Sequence, residues 1–173
     1  IQSGYLYGKA NHMDIRQYGS GNAGSTNVLR VMGKKAGAIV FLGDFFKAVF
    51  AMAVCRLLFK GNADVDLLAL YAGLGVTLGH NFPFYLKFKG GKGFASYLVM
   101  ILAINWKVAL CILAAVVILT VLTDYIVVGT VTSVVSFPIY TAIRSGWLPL
   151  VILCVATLAI LIKHRENFVR IWN

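Results

Sequence analysis

Six apolar runs, parted only by short polar joints, dictate most of what this chain can become. Ala36–Phe59 and Leu67–Leu86 are each long enough to cross the ~30 Å of hydrocarbon in a bilayer. Phe94–Ile104 is shorter, and Val108–Leu122, Ile126–Ile143 and Trp147–Ile162 complete the series. Ile1–Ala10 reads as the tail of a further helix whose beginning is absent. Only 16 Lys+Arg and 6 Asp+Glu occur in 173 residues, well below the roughly one quarter of a soluble domain. A core of this size cannot hide so much apolar surface, so lipid must solvate the outside. Backbone groups in lipid have to be satisfied within each segment, which selects helices. The expected fold is therefore all-α: a polytopic membrane helical bundle, one domain over 1–173, without internal repeats.

Three polar stretches stand out against this background. The first is Gly19–Arg30, a glycine-rich segment that reads as a loop. Gly19 and Gly21 let N–H groups converge on an anion, while Ser20, Asn22, Thr26 and Asn27 add donors and acceptors. Arg30 offers a cationic fork suited to phosphate. The string also matches G-x-G-x-x-G, but no strand precedes it and no βαβ unit surrounds it, so a dinucleotide site is rejected. The second stretch joins Gly79-His80-Asn81-Phe82-Pro83 to Lys87–Gly93. Here Lys89 and Lys92 stand among Gly90, Gly91 and Gly93 at a helix start, a second anion cradle with His80 beside it. Its spacing is not that of a Walker A loop, and lipid attraction alone would not call for the glycines. The third is Lys163–Arg170, where His164 and Asn167 share a helical face and Glu166 and Arg170 read as a solvent-side ion pair. Asp44 and Lys47, one turn apart inside an apolar run, read first as a pair bracing the site and second as substrate contacts.

Placing the three stretches on one side collects 11 of the 16 cations there: Lys9, Arg16, Arg30, Lys34, Lys35, Lys87, Lys89, Lys92, Lys163, Arg165 and Arg170. Arg56, Lys60, Lys107 and Arg144 fall opposite, with Lys47 inside a helix. The positive-inside rule then faces the motifs to the cytoplasm. An even number of later crossings agrees, and turns Asp124-Tyr125 on that side too. The net charge of +10 suits anionic head groups or substrates. Nucleic acid is excluded as a partner because no basic tract or aromatic-basic stripe occurs. Cys55, Cys111 and Cys154 lie in apolar runs without CxxC spacing and read as small hydrophobes, so no disulfide framework and no metal site follow.

In this order the motifs resemble one family. Gly19-Ser20-Gly21-Asn22 with Thr26-Asn27 and Arg30 is similar to its first motif. Gly79-His80 through Pro83, with Lys89-Gly90-Gly91-Lys92-Gly93, is similar to its second. His164-Arg165-Glu166-Asn167 is similar to its third. The family is the bacterial acyl-phosphate:glycerol-3-phosphate acyltransferases (PlsY). Two places depart from its pattern: Ser25 stands where the family usually has Ala, and Asp124-Tyr125 followed by Thr130 stands where a basic-Tyr pair precedes a serine-rich stretch. The resemblance implies a seven-helix membrane fold, here with its first helix largely missing, in the bacterial plasma (inner) membrane. It implies transfer of a fatty acyl group from acyl phosphate to the sn-1 hydroxyl of glycerol 3-phosphate, giving lysophosphatidic acid and phosphate. No cofactor is implied, and a functional link to the enzyme that makes acyl phosphate is.

On that reading Arg30 and Lys92 carry phosphate charge and Ser20 completes the cradle, while His164 and Asn167 orient the acceptor. The remaining binding residues are Gly19, Gly21, Asn22, Thr26, Asn27, His80, Lys89, Gly90, Gly91 and Gly93. No Ser-His-Asp or Cys-His arrangement suggests an acyl-enzyme. The alternative is a membrane transporter for an organophosphate, which would place polar breaks at the midplane rather than at one face.

Overall fold

The computed structural model describes residues 1–172, with side chains through Val169. Eight α-helices run in chain order: α1 (Ser3–Ala10), α2 (Ser25–Met32), α3 (Lys34–Leu58), α4 (Val65–Asn81), α5 (Phe94–Ile104), α6 (Trp106–Thr123), α7 (Ile126–Arg144) and α8 (Trp147–Trp172). Short 3₁₀ turns occupy Ile15–Gln17 and Phe84–Leu86, and no strand occurs among the described residues. Helices α3, α6, α7 and α8 are long and apolar enough to cross a membrane.

Six expected runs reappear as α3 to α8, and Ile1–Ala10 as α1. Three differences have local causes. The run Leu67–Leu86 ends as a helix at Asn81, because Pro83 brings no N–H and disfavours helix in the residue before it. The segment Gly19–Arg30 is a loop only as far as Gly24. From Ser25 onward it is α2, so Thr26, Asn27 and Arg30 sit on a helix whose Val28 is wholly buried. At eight residues α2 is about 12 Å long, too short to span. Finally α8 continues well past Ile162 and carries the third motif on its own extension.

Burial follows the helical repeat, while lipid rather than water explains the apolar exterior. On α3 the buried positions include Ala36, Val40, Asp44, Ala48 and Met52, one stripe at spacing four. Leu42, Phe46, Phe50 and Leu57 on other faces are exposed, as a lipid-facing helix requires. The centre is α5, buried continuously from Ser96 to Ile101 and packed against α3, α4, α6 and α7. Asn105 both ends α5 and caps α6, its Oδ1 accepting from the N–H groups of Lys107 (3.0 Å) and Val108 (3.2 Å). Pro138 inside α7 frees the carbonyl of Val134, one turn back. The Thr157 hydroxyl donates to that carbonyl at 2.7 Å and the Tyr97 hydroxyl at 3.4 Å, so no acceptor is stranded in the bundle.

Because successive long helices alternate in direction, one end of the bundle gathers the starts of α3, α5 and α7 with the ends of α4, α6 and α8. All three polar motifs lie at that end.

Candidate active site

The first motif is held by its own side chains. Asp14 accepts from the backbone N–H of Arg16 (3.1 Å) and pairs with its guanidinium at 2.9 and 2.7 Å, closing the turn before the loop. Those hydrogen bonds pull the Asp14 carboxyl down to about 2. A depressed acid favours the folded loop above its ordinary value of 3.8 and loses that contribution as pH falls towards 2. Protection of the Gly19–Asn22 amides from hydrogen exchange is therefore expected to hold steady from neutrality to about pH 4 and to drop below it. Loss of protection already at pH 6 would rule Asp14 out as the fastening.

Asn27, buried on the first turn of α2, is the hub of this loop. Its Oδ1 accepts from the Ser20 N–H at 2.7 Å, and its amide N–H₂ donates to the carbonyls of Ile15, Tyr18 and Asn22 at 3.1, 3.0 and 2.9 Å. Both polar ends are spent on backbone, and Gly19 packs directly on the same amide. Asn27, expected to contact an anion, frames the loop and also borders the cavity. Asn22 ties the loop to the second motif, its Nδ2 donating to the Gly90 carbonyl at 3.4 Å.

The second motif wraps the end of α4. The Gly91 N–H donates to the His80 carbonyl at 3.1 Å, and Gly91 lies so close to the His80 imidazole that a Cβ would enter the ring. Gly93, at φ +82°, lies against the buried Asn81 amide and starts α5. Gly91→Ala is expected to cost about 1–3 kcal/mol by overpacking, read as a lower melting midpoint in detergent. An unchanged midpoint would show that His80 gives way freely. The His80 side chain, expected to face an anion, meets Lys47, whose ammonium donates to its Nδ1 at 2.7 Å and to Asp44 Oδ1 at 2.6 Å. The imidazole hydrogen consequently sits on Nε2. Ser3 Oγ donates to the same Asp44 oxygen at 2.9 Å, so the expected bracing pair is a larger buried cluster.

The third motif closes on the second. Lys163 donates to the Phe88 carbonyl at 3.0 Å, and Lys92 donates to Asn167 Oδ1 at 2.6 Å. His164 is buried, and its Nδ1 lies 2.9 Å from the Ile160 carbonyl. A carbonyl can only accept, so Nδ1 carries the hydrogen and Nε2 is left as an acceptor. Glu166 borders an outer hollow, whereas the side chain of Arg170 lies outside the described residues.

These pieces enclose a cavity of about 400 Å³. Ser20, Asn22, Thr26, Asn27, Arg30, His80, Lys92, Gly93, His164 and Asn167 all line it. Gly21, Lys89 and Gly90 line the adjoining outer hollow of about 620 Å³, which shares Ser20 and Asn22 with the cavity. Gly19 and Gly91 line neither and act through packing. Two helix starts open on the cavity: Gly24, Ser25 and Thr26 of α2, and Gly93, Phe94 and Ala95 of α5. Neither start has a side-chain cap, so both direct N–H groups and the positive end of a helix dipole at one space. Arg30 and Lys92 add two cations to the same lining. The sequence concealed half of it by disguising α2 as loop. Sequence reasoning also passed over Phe41, Leu113 and Val116, which line the apolar part, and assigned no role to Asp124, Tyr125 and Thr130 on the same wall. Those residues look like ordinary lipid-facing positions; only their distance from helix ends at the motif side could have marked them.

The family model described as glycerol-3-phosphate acyltransferase matches residues 1–173. A glycerol-3-phosphate acyltransferase of Thermoanaerobacter sp. (strain X514) is 41% identical over 174 residues, covering 99% of this chain and 85% of the relative. One from Lactiplantibacillus plantarum is 42% identical over 178 residues, covering 100% and 83%. Two crystal forms of PlsY, an integral membrane glycerol 3-phosphate acyltransferase, superpose closely. The glycerol 3-phosphate form has a TM-score of 0.88 at 31% identity, and the lysophosphatidic acid form 0.85 at 30%. Each comparison covers 99% of this chain and 85% of the solved one. Matched from end to end by the family's model and at these identities by its members, this integral membrane protein belongs to the glycerol-3-phosphate acyltransferase family.

Proposed function

We propose that this acyltransferase takes its acyl group from acyl phosphate and transfers it to the sn-1 hydroxyl of glycerol 3-phosphate at the cytoplasmic face of a bacterial plasma membrane. The observation that carries the reading is the shape of one cavity, a cationic end ringed by two helix starts and an apolar end lined by α6 and α7. Phosphates fit the first end and a fatty tail the second. The cation count on the motif side supports the cytoplasmic orientation.

In the proposed reaction the acceptor hydroxyl oxygen attacks the acyl carbon, and the bond from that carbon to the bridging phosphate oxygen breaks. The products are lysophosphatidic acid and inorganic phosphate, with the hydroxyl proton passing to a phosphate oxygen of the donor. Phosphate is a good leaving group, so positioning and oxyanion stabilisation supply most of the acceleration. Arg30, Lys92, the Ser20 hydroxyl and the N–H groups at the start of α2 hold phosphate charge. Asn167, oriented by Lys92, and the acceptor Nε2 of His164 orient glycerol 3-phosphate.

The deciding measurement is phosphate release from acyl phosphate by purified protein in liposomes, with and without glycerol 3-phosphate. Release that depends on the acceptor, with matching lysophosphatidic acid, is expected. Release indifferent to the acceptor, label from a radioactive donor trapped on the protein, or uptake of glycerol 3-phosphate into sealed vesicles without donor would each sink this mechanism.

A further inference from the structure

The apolar part of the cavity has a depth that can be read along α6. Asp124, just past the end of that helix, lines the same cavity as Ser20, Arg30 and Lys92 and so marks the level of the polar end. Val116 and Leu113 line it further down, on one face of α6. At 1.5 Å per residue, Leu113 lies about 16 Å below Asp124. One leaflet is half of the ~30 Å hydrocarbon thickness, or about 15 Å. The distal part of an acyl tail with its carbonyl at the polar end therefore lies at the level of Leu113. The other walls are shallower: Phe41 lies about 10 Å into α3 and Thr130 about 6 Å into α7.

The wall that carries Leu113 is fixed in place. A Cβ on Gly129 of α7 would stand 2.7 Å from the Val116 carbonyl oxygen and 2.9 Å from its Cα, so the glycine is what lets α6 and α7 pack this closely. Among the described residues α5 packs against α3, α6 and α7 and so lies between these walls. The result is a groove with one rigid side, whose lining on α6 ends at Leu113.

Resting on the acyl-phosphate reading above, we propose that Leu113 determines which acyl-chain length the enzyme prefers, by bordering the far end of the groove where the distal methylenes of the donor lie. Surplus methylenes leaving the groove are still solvated by lipid, so the discrimination is one of fit rather than of escape from water. Filling the end with a larger side chain shortens the preferred tail.

The test compares decanoyl and palmitoyl phosphate as donors for wild type and Leu113→Trp in the same liposomes, with lysophosphatidic acid as the readout. Taking the palmitoyl-to-decanoyl ratio of kcat/KM relative to wild type cancels partition of the donors into the membrane. That ratio is expected to fall on the order of tenfold in Leu113→Trp, the effect of an overpacked contact, with decanoyl turnover retained. Ile118→Trp adds the same bulk at a position of α6 that is 57% exposed, turned away from Leu113 and outside the groove lining, and should keep the wild-type ratio. An unchanged ratio in Leu113→Trp, an equal loss with both donors, or the same shift in Ile118→Trp overturns the proposal. Wild type that makes no product from either donor removes the acyl-phosphate reading instead.

Discussion

Replacing Lys92 with alanine is expected to lower kcat/KM for glycerol 3-phosphate by about 10²–10³-fold, the usual cost of deleting a preorganised donor at developing charge. Two losses coincide in that variant. The cation at the start of α5 disappears from a space already shaped for anions, and Asn167 loses the donor that fixes its amide at 2.6 Å. Lys92→Arg keeps the charge but replaces a compact ammonium by a planar fork, so recovery should be partial. Because Lys92 is half-buried, the melting midpoint in detergent is recorded alongside turnover. Wild-type turnover by well-folded Lys92→Ala would remove the residue from the site.

The largest effect on stability is expected from Asp44→Ala. It leaves the Lys47 ammonium in the bundle without the carboxylate 2.6 Å away, and takes the acceptor from Ser3. Breaking one partner of a buried pair costs about 3–5 kcal/mol, because the remaining charge is uncompensated. For a chain of this size that corresponds to a fall of roughly 10 °C in melting midpoint. The double variant Asp44→Ala/Lys47→Met removes the stranded charge and should recover most of the loss. A double variant no more stable than the single one would show that the cluster acts through packing rather than charge. Because Lys47 also holds His80 Nδ1, both variants disturb a residue lining the cavity, and turnover should fall in each.

How legible the protein was in its sequence differs from element to element. The six apolar runs became α3 to α8 because lipid solvation and backbone satisfaction are local demands that a window of residues already expresses. The polar, cationic character of Gly19–Arg30 and Lys87–Gly93 was legible for the same reason, as glycines, hydroxyls and cations declare their chemistry at short range. The framing role of Asn27 was not legible, because its four hydrogen bonds go to Ile15, Tyr18, Ser20 and Asn22, a pattern that exists only once α2 has folded back on the loop. Nor was the contact of His80 with Lys47, which is 33 positions away on another helix.

By itself, then, the sequence determined the solvent, the apolar helices, the family resemblance and the chemical type of the three motifs. Tertiary structure decided which of those residues meet, that two helix starts aim at one cavity, and that a groove runs from it along α6. The division is physical. Composition and periodicity act over a few turns of chain, whereas convergence of Ser20, Lys92 and Asn167 depends on long-range packing around α5 that no local pattern encodes.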